Sequence, residues 1–199
     1  MPATSDPKTA PRFDRTAAAI LDAAAHVFSE QGTAANLADV AAAAGVSRAT
    51  LYRYYPNREA LLNALAAHAL NELAGRLNDA GLERATVEEA IERLARALVA
   101  VGDRYSVLAG EQCTPDRADA ERLVNAPMRA VFERGIATGH LRPDLPANIQ
   151  LELLGGAVTA AIKLTQRHQL GAEEASAAAA AVFLDGAQTA MTLKGPARP

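Results

Sequence analysis

The stretch from Asn36 to Pro56 leaves the backbone little choice. Asn36 is a strong N-cap residue, and Asp39 three positions later complements the exposed amides, so a helix starts there. Leu37, Val40, Ala41 and Ala44 mark one apolar face of that short helix. Gly45 ends it, because a glycine enters the left-handed conformation without steric cost. Val46 tucks into the corner and Ser47 caps a second helix over roughly 48–54, which must finish before Pro56. Helix, short corner, helix: the spacing predicts a helix-turn-helix.

The rest of the chain carries the same helical punctuation. Half of its 199 residues are hydrophobic, yet there are only four Phe, four Tyr and no Trp. The apolar content is mainly alanine, a helix former, and not the aromatic and β-branched residues of strands. We therefore expect an all-α fold of about nine helices, counted from caps and apolar spacing. An N-terminal three-helix domain over residues 15–60 holds the helix-turn-helix, and a larger helical domain covers 61–194. Residues 1–14 (MPATSDPKTAPRFD), rich in proline and poor in large apolar side chains, are expected to be a flexible arm. Ile20, Leu21, Ala24, Val27 and Phe28 define a first helix over 15–31, before Gly32. A long helix runs from the Asn57 cap to about Leu77, and Gly81 ends it. Thr86 and Glu89 form a capping box for the next, with Val87, Ile91, Leu94, Leu98 and Val101 on its face. Gly102, Gly110 and Pro115 then leave a short piece at 103–112 and a helix over 116–138 that Pro127 should kink. A loop over 139–146 precedes two last helices, 147–168 and 172–193, parted by Leu170–Gly171.

The net charge of −3 gives no global signature of nucleic-acid binding, so any basic surface must be local. One exists. Between Val40 and Arg58 the only charged residues are Arg48, Arg53 and Arg58. Ser47, Arg48 and Ala49 form the first turn of the second helix, the part that a helix in the major groove presents to base edges. Arg48 is long and planar enough to bond guanine bidentately; a solvated or phosphate-bound arginine is the alternative. Leu51 and Tyr55 face back into the core, whereas Tyr52 and Tyr54 project outward beside the arginines, where hydroxyls donate to phosphate. Asn36 caps its helix and presents amides to phosphate, two roles that coexist. Arg12 and Arg15 are either solvated or reach an adjacent groove.

The string from Leu37 to Arg58 (LADVAAAAGVSRATLYRYYPNR) resembles the TetR family of bacterial transcriptional regulators. Its pattern is matched by Ala41, Ala44, Gly45, Val46, Ser47, Thr50, Leu51, Tyr52, Tyr54, Tyr55, Arg58, Glu59 and Leu61. The close match covers about residues 15–62, and beyond it only the helical count and the Gly-His-Leu-Arg-Pro-Asp loop look like the family. The stretch between Gly32 and Asp39 is short for the pattern, with Asn36 where threonine or serine is commoner. The resemblance implies phosphate-binding positions at Tyr54 and Arg58, Thr50 near the backbone and Tyr52 close to a thymine methyl. It also implies a double-stranded operator as partner and a small-molecule effector that relieves repression; an activator tightened by its ligand is the alternative.

The last two helices carry one charge each over their central turns, Glu152 and Asp185, and are apolar around most of their circumference. Small residues (Gly155, Gly156, Ala157, Ala160, Ala161 and Ala177 to Ala181) let helices of a second subunit approach, so a homodimer through 147–168 and 172–193 is expected. The Pro127 helix and the fourth and fifth helices are expected to bound a cavity, which the resemblance implies as the effector's seat, with His68, Asn71, Arg104, Tyr105, Gln112, Asn125, Met128, Arg129 and Phe132 beside it. An enzyme is the rival class, and a binding module that keeps the fold without engaging DNA is a third, against which stands the row Arg48, Tyr52, Tyr54 and Arg58. His26, His68, His140 and His168 lack metal-binding spacing, and no phosphate loop or nucleophile elbow is present. Cys113 is more readily inert packing than a nucleophile. No cofactor, metal or catalytic residue is expected. With no apolar leader and no apolar run near ~18 residues, a cytoplasmic protein outside the membrane is expected.

Overall fold

The computed structural model of the chain describes residues 10–110 and 116–188. Among them every regular element is helical, apart from an isolated antiparallel bridge between Leu141 and Gln188. The all-α expectation holds. Backbone contacts divide the chain into two compact units, Met1–Glu72 with Val101–Ala120 and Leu73–Ala100 with Glu121–Pro199.

The first unit begins with α1 (Ala10–Gln31), which starts inside the segment expected to be an arm. Pro11 explains how: in a first turn its missing N–H has no helical partner to lose. A 3-10 turn over Gly32–Ala34 leads to α2 (Leu37–Ala43), and α3 (Arg48–Tyr54) follows the glycine corner. Ile20, Ala24, Val27 and Phe28 of α1 are buried, as are Val40, Leu51 and Tyr55, and so are Leu61 and Leu65 of α4 (Arg58–Asp79). Each such aliphatic or aromatic side chain contributes about 1.5–3 kcal/mol of transfer free energy, which is what holds short helices like α2 and α3 in place.

After Gly81 (φ +60°), Thr86 and Glu89 exchange bonds of 3.2 Å in the expected capping box. It opens α5 (Val87–Arg104). This helix passes through Gly102, where a break was expected. The glycine costs about 1 kcal/mol of helix propensity, and buried Val99, Val101 and Tyr105 around it outweigh that. What was expected as a helical piece at 103–112 is a 3-10 turn over Ser106–Gly110; Gln112 and Cys113 lie outside the described residues.

The single kinked helix expected over 116–138 is three pieces: α6 (Arg117–Ala120), a π-helical turn over Glu121–Asn125, and α7 (Ala126–Ala137). Pro127 lacks an N–H and its ring crowds the carbonyl of Leu123, so the backbone widens before it and Pro127 falls in the first turn of a fresh helix. Further along the second unit, α8 (Ala147–Gln166) packs along α9 (Ala172–Ala187), and Phe132 of α7 meets Phe183 edge to face at 5.8 Å. Both last helices stop short of the expected ends. His168 takes φ +54° after α8, and Gln188 turns extended after α9 to bridge with Leu141. Residues 189–193 lie outside the described residues.

The loop between α7 and α8 is tied to this helix pair. The Arg142 N–H donates to the Ala187 carbonyl at 2.9 Å, and buried Gln150 donates through Nε2 to the carbonyls of Arg142 and Leu145 at 2.9 and 2.8 Å. Arg142 also grips Asp144 with two bonds of 2.7 and 2.6 Å. On the outer side Ile149, Leu153 and Val182 stand exposed, Val182 at 72%.

Candidate functional site

The helix-turn-helix owes its shape to its caps. Asn36 Oδ1 accepts from the amides of Ala38 and Asp39 at 2.8 and 3.1 Å, and Asp39 Oδ2 accepts from the Asn36 N–H at 3.3 Å. Three amides at the start of α2 are therefore already bonded within the chain. Gly45 takes φ +66°, and the Val46 N–H closes the corner on the Ala41 carbonyl at 3.0 Å. Ser47 Oγ accepts from the Thr50 N–H at 3.1 Å and shares a 2.9 Å hydroxyl pair with Thr50 Oγ1.

These caps leave one face of α3 open. Ser47, Arg48 and Ala49 are exposed, as are Tyr52 and Arg53, while Thr50 and Tyr54 are half-buried. Among the described residues Arg48 has no side-chain partner, so its donors are available to a ligand. Arg53 lies 5.5 Å from the centre of the Tyr54 ring, which keeps a cation beside that phenol. Leu51 and Tyr55 face inward, and burial pushes the Tyr55 phenol above its usual range. Arg58 differs from the other two arginines: it is half-buried, 4.8 Å above the Phe28 ring, and donates to the Ala35 carbonyl at 2.7 Å. An exposed row of arginine and tyrosine on the first helical turns of α3 matches what major-groove reading requires.

Four of the residues expected beside an effector sit in the first unit, three of them in an ionic and hydrogen-bonded cluster. Arg104 bridges Glu72 at 3.0 Å and Asp22 of α1 at 2.7 Å, and the buried Tyr105 hydroxyl donates to Glu72 at 2.7 Å. His68 stands 3.6 Å from Asp22 and edge-on to Tyr105, and Asn71 is exposed. Burial, reinforced by the bond to Glu72, pushes the Tyr105 phenol well above its ordinary range. The others lie in the second unit: Met128 and Phe132 are core residues, Asn125 is in the π turn, and Arg129 pairs with Glu121 and Glu133.

None of these residues lines the large cleft of the second unit, about 930 Å³ in volume. Its apolar wall is Leu77, Leu82, Leu123, Pro127, Ala130 and Val131, with Asp79, Glu83 and Arg84 among its polar groups. Arg134 shapes one side by donating to the carbonyls of Leu82, Glu83 and Ala85 at 2.9, 3.0 and 3.1 Å. The π turn before Pro127 delivers Leu123 to this wall. Of this wall the sequence reading singles out Pro127; the loop carbonyls held by Arg134 carry no sequence signal.

A model of bacterial regulatory proteins of the TetR family matches residues 20–65, the segment that builds the helix-turn-helix. The transcriptional repressor LfrR of Mycolicibacterium smegmatis is 45% identical over 94 residues, 45% of this chain and 47% of that protein. The helix-turn-helix segment is thus similar to that of TetR-family regulators. A solved structure of LfrR from Mycobacterium smegmatis in complex with proflavine superimposes with a TM-score of 0.72 and 26% identity, covering 88% of this chain and 98% of that one. The repressor KstR2 of Rhodococcus jostii is 25% identical over 156 residues, 72% of this chain and 76% of that protein. The sequence match to LfrR thus spans about half its length, while the TetR fold likeness extends over nearly the whole chain. Among the described residues no helix is long and apolar enough to cross a membrane.

Proposed function

We propose that the chain is a homodimeric repressor that reads a palindromic operator with α3 and is released by a small-molecule effector. The observation that carries this reading is the exposed row Arg48, Tyr52 and Arg53 on a helix inside the segment that the TetR-family model matches. Base reading falls to Arg48, with Ser47 and Ala49 beside it and Tyr52 close to a thymine methyl, and Thr50, Arg53 and Tyr54 serve the backbone. The exposed apolar residues Ile149, Leu153 and Val182 of α8 and α9 favour burial against a second copy. Two symmetric heads then require half-sites roughly 34–36 Å apart. Residues 15–60 act as the reading domain and 61–194 as the effector and dimer domain, in a non-enzymatic protein of the cytoplasm.

The effector seat in this reading is the 930 Å³ cleft, of a size that suits a small molecule. LfrR, of the same fold, is solved with proflavine bound. α4 is one helix from Arg58 to Asp79, and Leu77 and Asp79 border the cleft. A ligand pressing on those last turns biases the helix that carries Arg58 at its other end, and a ligand favouring one state lowers affinity for whatever requires the other. The test is selection of duplexes from a random pool, then operator affinity with and without a cleft ligand found by thermal shift. Enrichment of a palindrome and its loss on ligand addition is expected. No enrichment defeats DNA reading, and tighter binding with ligand turns the repressor into an activator.

A further inference from the structure

We infer that Arg58 is a positioning residue for operator reading: it braces the joint that aims α2 and α3, and does not itself hold a phosphate. This rests on the DNA-binding reading above. Arg58 opens α4, and its guanidinium lies 4.8 Å above the ring of Phe28, near the end of α1. Nη1 donates to the Ala35 carbonyl at 2.7 Å. Phe28 and Ala35 are both buried, at 1% and 3% exposure.

The chemistry of that contact is specific. A carbonyl in a buried setting needs a donor, because an unpaired acceptor forfeits its hydration. The aromatic platform suits a flat, weakly hydrated guanidinium better than an ammonium. Ala35 directly precedes Asn36, whose side chain caps α2, so Arg58 holds the first turn of α4 against the residue that launches the helix-turn-helix. At this joint the 3-10 turn has no side-chain cap at Gln31, Gly32 takes φ +59°, and the Ala35 N–H donates back to the Gly32 carbonyl at 3.3 Å. From α2 onward the corner is closed by the Gly45 and Val46 amides, so displacement at Ala35 is carried to Ser47, Arg48 and Ala49. A side chain that holds a phosphate presents its donors outward to the phosphate oxygens; this guanidinium spends an Nη and a stacking face inward.

The test uses the full chain, a duplex selected by the wild type from a random pool, and a random-sequence duplex of equal length, each titrated across a salt series. Arg58→Lys keeps the charge but loses the planar stack, and Phe28→Leu removes the platform without touching charge. For both, the inference expects about ten- to hundred-fold weaker binding to the selected duplex. Affinity for the random duplex should stay within about two-fold with the wild-type salt slope retained, since no phosphate contact is removed. In the free Arg58→Lys protein the Ala38 and Asp39 amides should exchange faster. An Arg58→Lys protein that binds like the wild type, with Arg58→Gln flattening the salt slope by about one unit and leaving those amides protected, would make Arg58 a phosphate contact and overturn the inference. Equal loss on both duplexes with a lowered melting temperature would overturn it too, as a general loss of fold. A wild type that enriches no duplex overturns the DNA reading and this inference together, whereas normal enrichment with unaffected Arg58→Lys overturns this inference alone.

Discussion

Among the described residues Arg48 has no side-chain partner, as the proposed base reader requires. Arg48→Ala should cost about 1–3 kcal/mol on the best duplex and relax preference at one base pair, read by comparing affinities across a panel of single-base variants. A uniform loss over the panel would show a backbone contact instead. Tyr105 answers to pH. Its phenol is raised by burial and by the bond to Glu72, so the folded chain keeps it neutral where the unfolded chain ionises. Its stabilising contribution is complete below the ordinary tyrosine value near 10 and is lost as pH climbs above it. Melting temperatures should therefore fall above pH about 10, and Tyr105→Phe should soften that fall at a neutral-pH cost of about 0.5–1.5 kcal/mol for the lost bond. Tyr55, also raised by burial, keeps the slope from vanishing.

Single helices show where local rules suffice and where they stop. Asn36→Ala removes the cap of a seven-residue helix and should lower stability by about 0.5–2 kcal/mol in urea unfolding, with a larger loss of operator affinity than of fold. Gly135→Ala looks favourable by helix propensity, yet a Cβ there would meet Leu141 Cδ1 at 2.5 Å and Val87 Cγ1 at 3.0 Å. Because Leu141 and Val87 are buried, overpacking wins, and a loss of about 1–3 kcal/mol is expected in the same measurement. The caps at Asn36, Ser47 and Thr86 were legible because capping is a contact within three residues, and so were α2, α3 and the core row of Ile20, Phe28, Leu51 and Leu61. Gly102 misled because propensity was weighed without the burial that overrides it. Pro127 was read as a kink, but how a backbone absorbs a proline, by bending or by a π turn, depends on neighbours that sequence spacing does not specify. The lining of the cleft was out of reach for the same reason: Arg134 shapes it by binding carbonyls 49 to 52 residues away.

For the molecule as a whole, the proposed assembly and its switch are measurable together. Sedimentation at micromolar concentration should give twice the 20.8 kDa of one chain. Substituting Leu153 or Val182 by Glu should shift it to a monomer that no longer binds the selected duplex, because a charge at a buried face is costly. Effector and operator should oppose each other by about 1–3 kcal/mol, the same 5–150-fold factor whichever is added first. The tie between Arg142 and Ala187, with Gln150 holding the loop from beneath, adds a kinetic expectation. Because the end of α9 is fastened within its own chain, each protomer brings to the encounter a finished half of the interface and not a segment that must fold on its partner. Subunit exchange should then follow the timing of rigid docking: a single phase without lag, limited by how slowly the pair lets go. Cutting that fastening by Gln150→Leu should leave the dimer's contacts in place and turn its formation into a slower, two-step event.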